Sequence, residues 1–255
     1  AGRLKKGGTL VEATAGNTGI GLALMAAARG YVLVCVMPEK MSVDKRQALT
    51  ALGVKRIITP NAPRTSPDNF RNTAERLARE NSWFLADQFN NPVNVKVHEE
   101  TTAQEILEQC KGKVGAFVAG AGTGGTISGV GKVLKRECPG VRIVLADPAG
   151  SGLAHWVATG SVGPDALYEI EGIGSSEPPG NLHRSVIDAA ETVSDTESFE
   201  TARRLIREEG LLVGGSSGTN VAAALRVAAR GSLAGPVVTL LPDSWDRYLT
   251  KGWMH

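Results

Sequence analysis

Three glycine-rich turns, at residues 14–19, 120–126 and 214–218, each open a stretch of helix-forming residues. One such turn is common; three in one chain strongly constrain the fold. A strand, a tight glycine turn and a helix form the crossover unit that parallel β-pairing requires. The runs between the turns fit that unit. Residues 9–13 are apolar and β-branched and read as a strand. Residues 20–29 read as a helix, with Gly30 at its C′ position. Residues 31–37 form a continuous apolar run, which predicts a strand buried on both faces. A helix over 44–52 stops at Gly53, and a strand over 55–59 stops at Pro60. Ser66-Pro67 predicts the N-cap and first residue of a helix running to about Glu80. Residues 83–86 read as a short strand.

The second half repeats the scheme. The pattern predicts a helix over 94–110 and a strand over 114–119. A helix then opens at 122–126 and ends near Cys138-Pro139-Gly140, before a strand over 141–146. Residues 147–191 are rich in Gly, Pro and Ser and read mostly as loop. Ser194-Asp195-Thr196-Glu197 is a capping box for a helix ending at Gly210. Residues 214–218 open another helix, and a strand over 237–241 stops at Pro242. The chain is therefore expected to be α/β, with mostly parallel twisted sheets flanked by helices.

Composition removes several function classes. Of 255 residues, 42% are hydrophobic and 21% charged, which suits a packed protein rather than a disordered one. A net charge of +2 argues against a dedicated nucleic-acid binder. Arg3, Lys5 and Lys6 read as a solvated terminus. The longest apolar run, 31–37, is far too short to cross a bilayer. No signal segment is recognisable, so a cytoplasmic protein without membrane association is expected. Cys35, Cys110 and Cys138 are odd in number and widely spaced, as reduced thiols are. His98-Glu99-Glu100 resembles the start of a zinc-binding helix, but Thr102 stands where a second His is needed, so no metal site is expected.

Glycine turns at strand carboxyl ends are where ligands bind in such folds. Residues 122–126 form the best anion site. Small residues let backbone N–H groups approach a phosphate, the helix N-terminus adds its dipole, and Thr123 and Thr126 add hydroxyls. A nicotinamide dinucleotide is one candidate, because Asp147 lies where a ribose-binding acid would sit. However, Ile127 occupies the third glycine position of that fingerprint. A P-loop also fails, since no Gly-Lys-Ser/Thr follows.

Seven motifs carry a resemblance. They are Thr14-Ala15-Gly16-Asn17-Thr18-Gly19-Ile20-Gly21, Met37-Pro38-Glu39-Lys40-Met41-Ser42, Asp87-Gln88-Phe89 with Asn91-Pro92, Gly122-Thr123-Gly124-Gly125-Thr126, Glu171-Gly172-Ile173-Gly174, Gly214-Gly215-Ser216-Ser217-Gly218 and Pro242-Asp243-Ser244. In this order, over essentially the whole chain, they resemble the cysteine synthase / cystathionine β-synthase family of pyridoxal phosphate enzymes. The resemblance implies two α/β domains, a smaller one at 1–91 and a larger cofactor-binding one at 92–255, with the cofactor in the cleft between them. It implies that Gly122, Thr123, Gly124, Gly125 and Thr126 cradle the phosphate of pyridoxal 5′-phosphate. Asn17 would bond the 3′ oxygen and Ser216 would face the pyridine nitrogen. Thr14, Ala15, Asn17, Thr18 and Gln88 would bind the substrate carboxylate, and Gly172, Ile173 and Gly174 would close over the amino acid. The implied reaction is β-replacement on O-acetylserine or serine by sulfide or a thiol, in a homodimer.

The sequence departs from the family in one important respect. The Schiff-base lysine is expected about 30 residues before Asn17, upstream of Ala1, and Lys5 and Lys6 are misplaced for it. No catalytic residue is therefore assigned within the chain. The expectation is a shortened piece of a normal enzyme; the alternative is a lysine-less protein that binds ligand or partner without chemistry. Smaller departures are Ala15, where many members carry Ser, and Ser175, where cystathionine-forming members often carry Tyr. Phe89 leans toward cysteine synthase; Met37 to Ser42 and Tyr248-Leu249-Thr250-Lys251 lean toward cystathionine β-synthase.

Overall fold

The computed structural model describes residues 4–14, 16–39, 41, 43–62, 64–164 and 166–255. Ala15, Lys40 and Ser42, three of the motif residues above, lie outside the described residues, as does Arg3 of the basic terminus. The chain divides into two compact units. One reaches to Gln88 and also takes Arg247–Lys251; the other holds Phe89–Asp246 and Gly252–His255.

The first unit runs β1 (Thr9–Ala13), α1 (Asn17–Arg29), β2 (Val32–Pro38), α2 (Val43–Ala51), β3 (Lys55–Thr59), α3 (Phe70–Asn81) and β4 (Phe84–Leu85). Its sheet is wholly parallel in the order β3-β2-β1-β4. Side chains alternate across a strand, so Leu10, Leu33, Cys35 and Met37 pack with Ala23, Ala26 and Leu49 on one face. Val11, Ala13, Val34 and Val36 pack with Ala74 and Ala78 on the other. This two-sided burial explains the unbroken apolar run in β2.

The second unit opens with α4 (Val93–Glu100), α5 (Thr102–Gln109), β5 (Ala116–Ala119), α6 (Gly125–Glu137), β6 (Arg142–Pro148) and α7 (Leu153–Thr159). It continues with β7 (Ala189–Val193), α8 (Asp195–Glu209), α9 (Gly215–Ala229) and β8 (Val237–Thr239). Its parallel sheet has the order β7-β6-β5-β8. Phe117, Ile143 and Leu145 meet Ile127, Val130 and Leu134 of α6 on one face. Ala116, Val118, Val144 and Ala146 meet Ala222, Ala223 and Val227 of α9 on the other. No helix among the described residues is long and apolar enough to cross a membrane.

Local expectations fail in two places. The helix expected over 94–110 is two helices, because the Thr101 hydroxyl donates back to the Val97 carbonyl at 2.7 Å and Thr101 leaves helical geometry at φ −122° and ψ −79°. The N-cap expected at Ser66 is Asn69, whose Oδ1 accepts from Arg71 N at 2.9 Å; Ser66 instead shapes the preceding turn, accepting from Asp68 N. The stretch 147–191 is mostly loop, as expected, and holds α7 and the start of β7. The capping box behaves as expected at its first residue, Ser194 accepting from Glu197 N at 3.2 Å, and Gly210 closes α8 at φ 68°.

Helices α8 and α9 pack backbone to backbone at Gly218, where a Cβ would overlap the Ser198 carbonyl and lie 2.9 Å from Ala202 N. Gly21, in α1, has open space around its Cα and an ordinary φ. Gly218→Ala should therefore lose about 1–3 kcal/mol from overpacking, while Gly21→Ala should gain roughly 0.5–1 kcal/mol from helix propensity. Urea unfolding of both variants checks the opposite signs; equal effects would refute the close approach.

Candidate functional site

In the second unit, β5 ends at Ala119 and the chain reaches α6 through the glycine loop. Gly124 takes the left-handed conformation, φ 85°, and a Cβ there would lie 2.6 Å from Leu182. Side chains at 122 and 125 would strike the Gly172 carbonyl and the Asn94 amide. At 122, 124 and 125 the loop therefore admits backbone only. Gly122, Thr123 and Thr126 remain half-buried and reachable. No side chain of the N-cap occupies the start of α6, and its first turn holds no acid, so its dipole favours an anion.

Neighbouring elements hold the loop's hydroxyls. Asn94 of α4 donates from Nδ2 to Thr123 Oγ1 at 2.9 Å. Thr126 Oγ1 lies 3.2 Å from His98 Nε2, and His98 Nδ1 lies 2.9 Å from Thr102 Oγ1. Burial pushes the His98 pKa down, so the ring is held neutral between two hydroxyls.

Two further predicted groups come to this loop. Gly174 N donates to Ala121 O at 2.9 Å, and Ile173 is buried beside Ile170 and Phe199. Gly172 and Gly174 are both left-handed, at φ 92° and 83°. Ser216 is buried in the first turn of α9. One turn on, Asn220 accepts from Gly120 N at 2.7 Å and donates to Leu240 O at 2.8 Å. Asn220 thus ties this glycine-rich helix start to the β5 loop. Neither Asn94 nor Asn220 carries a sequence signal, because each acts through partners distant in the chain.

The first unit has its own cluster. The Thr14 hydroxyl accepts from Gly16 N at 3.2 Å, and α1 starts at Asn17 with neither a side-chain cap nor an acid in its first turn. Gln88 Nε2 donates to Ala13 O at 2.8 Å, which sets the Gln88 side chain beside the end of β1. Thr18 is half-buried and Asn17 exposed. Asn17 Oδ1 accepts from the Arg247 guanidinium. The returning segment is anchored further by Thr250, which donates to Asp44 at 2.6 Å, and by Tyr248 under the buried Lys45. Ala15, expected in this cluster, lies outside the described residues.

Two carboxyls are buried: Glu12, which the sequence reading missed, and Asp147, which it weighed only as a ribose-binding acid. Glu12, 1% exposed in β1, is pushed up to about 7, mainly by burial, with Asp87 adding and the Gln88 N–H opposing. Its register partner Cys35 is pushed up to about 12 by burial and by Glu12. A lone acid in an apolar strand was the available signal. Asp147 is pushed up to about 6 by burial; its Oδ2 accepts from Ala154 N at 2.7 Å, and its Oδ1 has no partner. It supports the start of α7. Among the described residues no group of three or more His, Cys, Asp or Glu is placed to hold a metal.

Comparison with known proteins agrees with this architecture. The family model for pyridoxal-phosphate dependent enzymes matches residues 1–243. Cystathionine beta-synthase of Rattus norvegicus is 48% identical over 254 residues, covering 98% of this chain and 45% of that protein. Cysteine synthase of Staphylococcus aureus is 42% identical over 250 residues, covering 98% of this chain and 78% of that one. The crystal structure of O-ureido-L-serine synthase superposes with a TM-score of 0.90 at 40% identity, covering 99% of this chain and 78% of the other. The chain spans about half the length of the cystathionine beta-synthases it matches.

Because the folded state favours protonated Glu12, the stability this gives is complete below the ordinary pKa of 4.5 and is lost as pH rises to about 7. Relative to Glu12→Gln, the wild-type chain should lose on the order of 3 kcal/mol between pH 4.5 and pH 8. Denaturant curves at the two pH values test this; a constant difference would refute the buried-acid account.

Proposed function

Because the chain belongs to the cysteine synthase / cystathionine β-synthase family of pyridoxal-phosphate dependent enzymes, we propose that it serves β-replacement on serine or O-acetylserine, with sulfide or a thiol as the incoming group and cysteine or cystathionine as product. The family's cofactor is pyridoxal 5′-phosphate, which when bound supplies an electron sink for bonds at an amino acid's α-carbon.

The observation that carries the reading is the glycine cradle, closed to a Cβ at 122, 124 and 125 yet reachable at Gly122, Thr123 and Thr126. It fits a phosphate, which the amides of Gly122 to Thr126 and the start of α6 would hold. Ser216 would meet the pyridine nitrogen with a neutral hydroxyl. Such a partner does not hold that nitrogen protonated, which suits loss of a β-substituent over transamination. Asn17 would donate from Nδ2 to the 3′ oxygen, since Arg247 engages its Oδ1. Thr14, Ala15, Thr18, Gln88 and the open amides of α1 would bind the substrate carboxylate. Gly172, Ile173 and Gly174 would cover the amino acid and exclude water. The smaller and larger domains are assigned to 1–91 and 92–255, and the assembly to a homodimer.

A second reading keeps these sites without chemistry, because no lysine in the chain matches the family's Schiff-base position. Borohydride treatment of the cofactor-loaded, full-length protein separates the two. A fixed pyridoxyl adduct, with cysteine, cystathionine or O-ureido-L-serine formed from the matching substrates, supports turnover. No adduct and no product supports binding alone. Gly124→Ala should weaken cofactor binding about tenfold or more, equivalent to ~1.4 kcal/mol, because Ala is strained at positive φ and its methyl meets Leu182. An absorbance titration reads this; unchanged affinity would remove the cradle from the cofactor site.

A further inference from the structure

The end of β4 breaks the pattern of its own ladder. β4 pairs with β1 through Leu10–Phe84 and Val11–Leu85, and Ala86 N then donates to Val11 O at 3.2 Å. Two residues later, parallel pairing would send Gln88 N to Ala13 O. Asp87 instead adopts φ 53°, a left-handed conformation that turns the backbone away. The Gln88 side chain replaces its own main chain, Nε2 donating to Ala13 O at 2.8 Å. The displaced Gln88 N–H points at the Glu12 carboxyl, 3.4 and 3.5 Å from its two oxygens.

A fully buried acid is expensive in a strand core, where Val would pack without cost. What offsets it here is the Gln88 amide, which the turn at Asp87 takes off the ladder, since a buried N–H must find an acceptor. We propose that Glu12 is a positioning residue for substrate: by accepting the Gln88 amide it fixes the Gln88 side chain at the end of β1, beside Thr14 and the start of α1, where the proposed carboxylate site lies. The inference rests on the reading of Gln88 as a carboxylate ligand. It adds that the ligand's placement depends on an acid that itself touches neither substrate nor cofactor.

The test uses the full-length, cofactor-loaded protein with L-serine or O-acetyl-L-serine, whichever it turns over, and the variants Glu12→Ala, Glu12→Asp, Glu12→Gln and Gln88→Ala. Glu12→Ala removes the acceptor, and Glu12→Asp withdraws it by one methylene while keeping the carboxyl. Both should raise KM about tenfold or more with kcat changed less than about threefold, the pattern of lost ground-state binding. Both should also speed hydrogen exchange of the Gln88 amide about tenfold or more. Glu12→Gln, which keeps an acceptor oxygen, should restore both quantities to within about threefold of wild type. Cofactor affinity should not change in any variant. If Glu12→Ala does not fold, Glu12→Asp carries the test. The proposal alone is overturned if Gln88→Ala raises KM while the Glu12 variants leave KM and Gln88 exchange unchanged. If Gln88→Ala leaves KM unchanged, the carboxylate reading falls and the proposal with it.

Discussion

Parallel pairing is the constraint on which the rest of the structure depends. In each sheet all four strands run the same way, so every strand delivers its carboxyl end to the same edge. Each return must pass through a helix, and each helix begins with N–H groups that have no partner within it. α1, α6 and α9 begin on glycine-rich turns, none capped by a side chain of its N-cap residue. The proposed ligand sites lie at these helix starts, where the dipole favours an anion.

Glycine has a different function at different points in this scheme. At Gly124 it supplies a backbone angle that other residues reach only under strain, and at Gly122 and Gly125 it leaves room for neighbouring backbone and amide. At Gly218 it lets two helices touch. The asparagines complete the arrangement. Asn94 fixes Thr123, and Asn220 ties the β5 loop to α9 and to the end of β8. These contacts use polar groups that are short and fully paired, which makes their burial affordable.

The acids follow a harsher rule. Among the described residues no cation balances buried Glu12 or Asp147, and both are pushed toward the protonated form. Each accepts backbone amides at a place where regular pairing stops: Glu12 where β4 leaves β1, and Asp147 where α7 begins. They spend stability to hold irregular backbone in one conformation.

The sequence by itself determined the alternation of strand and helix and the parallel fold class, because periodicity, β-branching and glycine stops act within a few residues. It marked the glycine turns for the same reason, and the unbroken run of β2 revealed a strand covered on both faces. What it left open was decided by particular side-chain hydrogen bonds, some as near as one turn and one as far as 76 residues along the chain. α7 lies in a Gly/Pro/Ser-rich stretch and depends on Asp147 to support its start. The break at Thr101 follows from a hydroxyl choosing a carbonyl one turn back. The seat of Gln88 depends on Glu12, 76 residues earlier. Hydrogen bonds formed across such separations leave no periodic trace. Only the folded chain brings donor and acceptor close enough for burial to make their pairing obligatory.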